Sequence, residues 1–207
     1  MSIANASSTI KADVELHKAS AAGNLNDVMR LLKMGANPDW QDPADQATAV
    51  CVAAYYGYVE TVEALINHKC DVNLPEQFGR TPLMISAGKG KTEVVKLLLA
   101  SGALVDCEMN CGHTALMCAI TYGEDLDLVK LLASTSNPMT FLSPVMAVDS
   151  ETGIMVETSM CGFAEKGQYP EVITFIREYS AAIKDKEELQ AILPIGSTSE
   201  KEKKIRI

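Results

Sequence analysis

The chain has 207 residues, 47% of them hydrophobic and 5% aromatic, and carries a net charge of −9. That is enough for one or two domains with a sizeable core, and no run approaches the ~18 apolar residues of a membrane span. The acidity argues against a general nucleic-acid binder, because an acidic body repels phosphate backbones.

The N-terminus, MSIANASSTIK, lacks both the basic-then-apolar order of a secretory signal and the Arg-rich pattern of a transit peptide. The six cysteines are therefore expected in a reducing compartment, the cytoplasm or the nucleus, and not in a disulfide framework.

Taken in chain order, residues 1–12 read as a flexible N-terminus. A first helical unit, 13–42, starts with a helix near Asp13, continues through AAGNLNDVMRLLKMGANPD from Ala21 and ends at a turn holding Trp40. It lacks a preceding finger-like turn, as an N-terminal cap would. A second unit, 43–75, contains ATAVCVAAYYGYVETVEALINHKCDVN from Ala47.

The third, 76–108, is the most regular and contains GRTPLMISAGKGKTEVVKLLLASGALVDC. Thr81 can cap a helix there, with Pro82 at its first position, where the missing N–H costs nothing. Leu83, Ile85 and Ala87 are expected to face inward, and Gly90 to end that short helix in a conformation a side chain resists. Val94, Val95, Leu97, Leu98 and Leu99 form the apolar stripe of a second helix, which Gly102 ends.

The fourth unit, 109–138, contains GHTALMCAITYGEDLDLVKLL from Gly112, and a degenerate fifth, 139–184, contains TSMCGFAEKGQYPEVITFI from Thr158. DKEELQAIL, 185–193, reads as a short capping helix stopped by Pro194. Residues 194–207 read as a disordered tail.

The glycine between the two helices of each unit falls at Gly23, Gly57, Gly90, Gly123 and Gly167, at intervals of 34, 33, 33 and 44. The long last interval holds SPVMAVDSETGIMVET, 143–158. Its two apolar runs are expected to pair as an enlarged hairpin, Val145 to Val148 against Ile154 to Val156, with Thr158 starting the next helix. Packing on the array and partner contact both remain open for this insertion.

The TPL helix start and the EVVKLLLxxGAxV second helix, repeated at this period, resemble the ankyrin repeat. The resemblance implies an all-α ankyrin-repeat solenoid of stacked helix-turn-helix units with short β-hairpin fingers, one hairpin being enlarged between repeats four and five. Stacking suits the physics, since one helix pair cannot bury its apolar face alone. The family usually places a histidine three residues after the capping Thr. Here Cys51, Met84, Met117 and Cys161 stand there, and only the first repeat keeps one, His17. Cys118 falls at a core position, and Cys70 and Cys107 where the family has a small residue.

Cys107, Cys111 and His113 lie close together in CEMNCGH, but a structural zinc site needs a fourth ligand. No metal and no cofactor are expected. Nor is catalysis: GxSxG, a phosphate loop and HExxH are all missing from the sequence, and GKGK at 88–91 falls at an inter-helix turn.

The family implies a protein partner, bound through finger tips and the concave face of the first helices. Carried onto this chain, that surface holds Tyr55, Tyr56, Lys89 and Tyr122 in the groove and Phe78, Arg80 and His113 on the fingers, with Trp40 at the turn after repeat one. Each aromatic also has a packing alternative: Tyr56 and Tyr122 across neighbouring helices, Phe78 over the next finger, Trp40 under the finger base. Asn73 resembles a turn asparagine hydroxylated in some members, but the same residue also hydrogen-bonds the turn, and that structural reading is the preferred one. Two functions stand: a monomeric adaptor or scaffold for an unidentified protein, or an acidic inhibitor masking a partner's basic surface.

Overall fold

In a computed structural model the backbone is described for residues 3–122, 125–137, 145–148, 155–158 and 169–192, and side chains for 10–121, 125–137 and 169–185. Four helix pairs follow one another: α1 (Ile3–Ala21) with α2 (Leu25–Lys33), α3 (Ala49–Tyr56) with α4 (Val59–Asn67), α5 (Pro82–Gly88) with α6 (Thr92–Ala100), and α7 (Ala115–Tyr122) with α8 (Leu126–Thr135). A long helix, α9 (Pro170–Ile192), closes the described chain.

The first helices are short because each is bracketed. Thr48, Thr81 and Thr114 accept the N–H of Cys51, Met84 and Met117 on their hydroxyls, satisfying one orphan donor at each helix start. At the other end of α3, Gly57 takes a left-handed φ of 85°, and its N–H closes on the Ala53 carbonyl.

The pairs stack in two rows. One row is α1–α3–α5–α7, in which each helix touches the next; α2, α4 and α6 form the other. Between the rows one apolar core runs from Leu16 through Leu31, Leu65, Leu83, Leu98, Leu116 and Leu132 to Ile176 and Ile183. The inward assignment of Leu83, Ile85 and Ala87 holds, all three being buried. Side-chain to backbone hydrogen bonds tie successive turns together. The Asp71 N–H donates to Asp39, the Leu104 N–H to the Asn73 side-chain Oδ1, and the Asn137 N–H to Asp106.

Several boundaries differ from the sequence reading. Helix α1 begins at Ile3 and not near Asp13, because nothing between them, neither Gly nor Pro, stops an Ala-rich helix. Asp13 is buried within that helix, and its carboxylate accepts the Asn37 N–H at 2.6 Å. The capping helix expected at 185–193 is the last part of α9, which is continuous from Pro170; no Gly or Pro interrupts 171–192. The fingers after repeats one to three are tight turns, with no strand assigned to them. Each is closed over five or six residues by backbone bonds such as Glu76 N–H to Arg80 O at 3.0 Å and Met109 N–H to His113 O at 2.9 Å, leaving no length for a ladder.

In the insertion, β1 (Val145–Val148) pairs antiparallel with β2 (Met155–Thr158), Val145 opposite Thr158. The second strand thus lies C-terminal to the expected Ile154–Val156, and Thr158 is strand and not a helix start. Residues 149–154, the expected first helix of repeat five, Cys161 and the 194–207 tail fall outside the described residues.

Candidate protein-interaction surface

The row of first helices exposes a cleft where α3 meets α5. Its floor is a small apolar cluster, separate from the main core, in which buried Ala47, Cys51 and Ile85 pack with half-buried Val52. Helical spacing puts Cys51, Val52, Tyr55 and Tyr56 on neighbouring turns of α3. The two tyrosines therefore stand at the edge of the floor, 42% and 51% exposed, with ring centroids 5.0 Å apart in an edge-to-face pair. The cleft measures about 200 Å³, and Glu76 and Arg80 complete its wall from the finger preceding α5.

Glu76 organises that finger. It is only 5% exposed, so its charge needs compensation. Its Oε1 accepts from the Phe78 N–H at 3.1 Å, the Arg80 N–H at 3.2 Å and the Arg80 Nε at 3.0 Å. The bond to Glu76 raises the Arg80 pKa further and holds the guanidinium charged. The guanidinium lies 5.5 Å from the centroid of Phe78, which is itself 53% exposed. At the other side Lys89 places its Nζ 4.5 Å from the Tyr55 ring centroid. Both are cation–π distances, each worth about 0.5–1 kcal/mol at exposed sites.

A family model for three copies of the ankyrin repeat matches residues 16–108 and 68–141, more than half of the chain. The chain belongs to the ankyrin repeat family. It is 31% identical over 114 residues to a Rickettsia felis protein named for its ankyrin repeats, a match covering 54% of this chain and 37% of that protein. It is 38% identical over 88 residues to dauer abnormal formation protein 25 of Caenorhabditis elegans, covering 42% of this chain and 22% of that one. To the human ARF GTPase-activating protein GIT1 it is 32% identical over 85 residues, covering 41% and 11%. The chain spans well under half the length of these relatives.

Five of the eight residues chosen from the ankyrin register come together here: Tyr55, Tyr56, Phe78, Arg80 and Lys89. The other three do not join the cleft. Trp40 is half-buried and meets the His17 ring of α1 edge-on, centroids 5.8 Å apart. His113 sits on the next ankyrin finger, half-buried. The side chain of Tyr122, at the end of α7, lies outside the described residues.

Two contributors were missed. Tyr58 stacks on Tyr56 at 5.6 Å and extends the aromatic surface; its position next to the inter-helix glycine carried the signal. Glu76 stayed hidden because nothing local distinguishes a buried carboxylate from an exposed one.

The ankyrin register does account for the sulfur side chains. Cys51, Met84, Met117 and Cys118 are all buried. Burial pushes the Cys70 thiol up to about 12 and the Cys118 thiol to about 11, and raises Cys51 as well. Such thiols stay protonated and unreactive. Cys111 is exposed. Asn73 bridges two repeats, accepting the Leu104 N–H at 2.8 Å and donating to the Gly102 carbonyl at 3.3 Å. Among the described residues no three His, Cys, Asp or Glu side chains converge as metal ligands, and no helix is long and apolar enough to cross a membrane. A second, wider groove of about 390 Å³ between α8 and α9 is lined by Leu126, Lys130, Phe175 and Glu178; it holds none of the residues selected above.

Proposed function

We propose that this chain is a non-catalytic adaptor that captures a protein partner through the Tyr55–Tyr56 cleft and the adjoining Phe78–Arg80 finger. Ankyrin repeats are protein–protein interaction modules, and the observation carrying the finer reading is the exposure of three aromatic rings around one apolar floor. Tyr55, Tyr56 and Phe78 are each more than 40% exposed, while Ala47, Cys51 and Ile85 of the floor are buried. Aromatic residues beside Arg are the composition of binding hot spots. Their exposure is costly in a monomer and is relieved by a partner.

Tyr55→Ala/Tyr56→Ala/Phe78→Ala in one chain should abolish affinity capture and cross-linking of the native partner while the circular dichroism spectrum stays unchanged. A folded triple variant that captures the same partner equally well, or cross-links that map to α2, α4 and α6, defeats the proposal. The inhibitor alternative draws on the overall charge of −9. It requires binding that weakens steeply with salt through acidic residues away from this cleft.

A further inference from the structure

We infer that the groove between α8 and α9 is a docking site for a basic segment of this same chain, Lys201–Ile207. The groove measures about 390 Å³, and half-buried Leu126 and Phe175 give it an apolar floor. On α9, Glu171, Thr174, Phe175 and Glu178 follow one another at helical spacing. Both carboxylates therefore stand on the face that carries the floor.

The charges at this groove are not balanced. Glu171 and Glu178 are exposed and make no ion pair among the described residues. Lys130 is the one cation of the described lining, and it is already shared with Asp127 at 4.0 Å. Arg177, next to Glu178 in sequence, does not line the groove and has a partner of its own. Lys201–Ile207 reads KEKKIRI, with four cations, one carboxylate and two isoleucines, on a chain whose net charge is −9. It offers both things the groove lacks, positive charge for the rim and apolar side chains for the floor.

Length and spacing agree. Glu178 lies about 21 Å back along α9 from Ile192, at the helical rise of each residue. The nine steps from Ile192 to Lys201 can span up to about 30 Å. Running back along α9, the segment brings Lys203 to Glu178 and Arg206 to Glu171. Three extended residues cover about 10 Å, close to the rise of the seven helical residues between the two carboxylates. Ile205 then falls between the charges, over Leu126 and Phe175. Such short surface ion pairs are weak singly, but the tether makes the docking intramolecular and raises the effective concentration of the segment.

Heteronuclear NMR of the full chain tests this. The Ile205 and Ile207 amides should show the steady-state NOE of ordered backbone. Lys203→Glu/Arg206→Glu should drop it to free-chain values and shift the resonances of Leu126, Thr174 and Phe175. Glu171→Lys/Glu178→Lys should cause the same loss, and the four substitutions together should restore the ordered NOE, with circular dichroism confirming that each variant is folded. Free-chain NOE values in the parent, shifts that map away from α8 and α9, or no restoration in the combined variant overturns the inference. So does an ordered NOE that depends on protein concentration, which would place the segment of a second copy in the groove. None of these results bears on the adaptor reading, because Tyr55, Tyr56 and Phe78 are not part of this groove.

Discussion

Gly79 and Gly112 occupy the same place in successive fingers, with φ of 79° and 80°. Alanine at either is strained in the left-handed region. Their surroundings differ. A Cβ on Gly79 would meet the Asn110 amide nitrogen at 2.9 Å and its side-chain oxygen at 2.6 Å, whereas one on Gly112 meets nothing within 4 Å. Gly79→Ala should therefore cost at least 1 kcal/mol more than Gly112→Ala, since it also forces apart the fingers joined by Asn110 N–H to Phe78 O. Urea unfolding of the two variants side by side checks this, and equal losses would show that the close approach is not limiting.

A second residue-scale case carries a pH signature. Thr92 donates to Asp125 at 2.6 Å, and this bond, with the Leu128 and Asp127 N–H groups, lowers the Asp125 pKa. A carboxylate whose folded pKa is depressed adds stability above its unfolded pKa of about 3.9, and that stability is lost as pH falls through the folded value. Thr92→Val should then cost about 1 kcal/mol at neutral pH. The gap to the parent should close as pH drops below about 4, and a gap independent of pH would point to packing instead.

At the scale of elements, α9 depends on a narrow stripe. Val172, Ile176, Ser180 and Ile183 are buried, and the Tyr179 hydroxyl donates to the Ala133 carbonyl of α8 at 3.3 Å. Ile176 is fully buried at the centre of that stripe, so Ile176→Ala should destabilise by about 2–4 kcal/mol. Chemical denaturation with a probe on α9 measures the loss. The apolar period showed the facing of Leu83 and Leu98 in advance, but the sequence reading did not single out this stripe. The helix ends were less legible: α1 and α9 both run past their expected limits. Ankyrin register says where a helix is needed, while only Gly, Pro or a packed neighbour says where it must stop.

For the molecule as a whole, among the described residues each ankyrin pair packs chiefly on the next, while a single apolar core threads all of them. Cooperativity then rests on the interfaces between pairs. Leu116, fully buried on α7 where it meets α5, is one such link. Leu116→Ala should cost about 2–5 kcal/mol and uncouple the array. Native-state hydrogen exchange should show α7 and α8 opening while α1 to α4 keep their protection. Uniform loss across all helices would mean that the chain folds as one indivisible unit.

By itself the sequence determined the repeat period, the Thr caps, the inter-helix glycines Gly23, Gly57 and Gly90 (Gly123 and Gly167 lie outside the described residues) and the buried register of Cys51, Met84 and Met117. All of these are local: a turn chemistry or a helical spacing decides each, and stacking merely repeats it. Only the tertiary structure decided which candidate residues share a surface. Tyr55, Phe78, Arg80 and Lys89 come from two adjacent repeats, and their grouping depends on how α3 stacks on α5. Trp40 meets His17 of α1, a neighbour that only the folded chain brings beside it. Glu76 lost its solvent only once the finger folded over it, and its charge then held Arg80 in place. Burial and charge pairing are properties of neighbours in space, and a linear order of residues states them only after the chain has stacked.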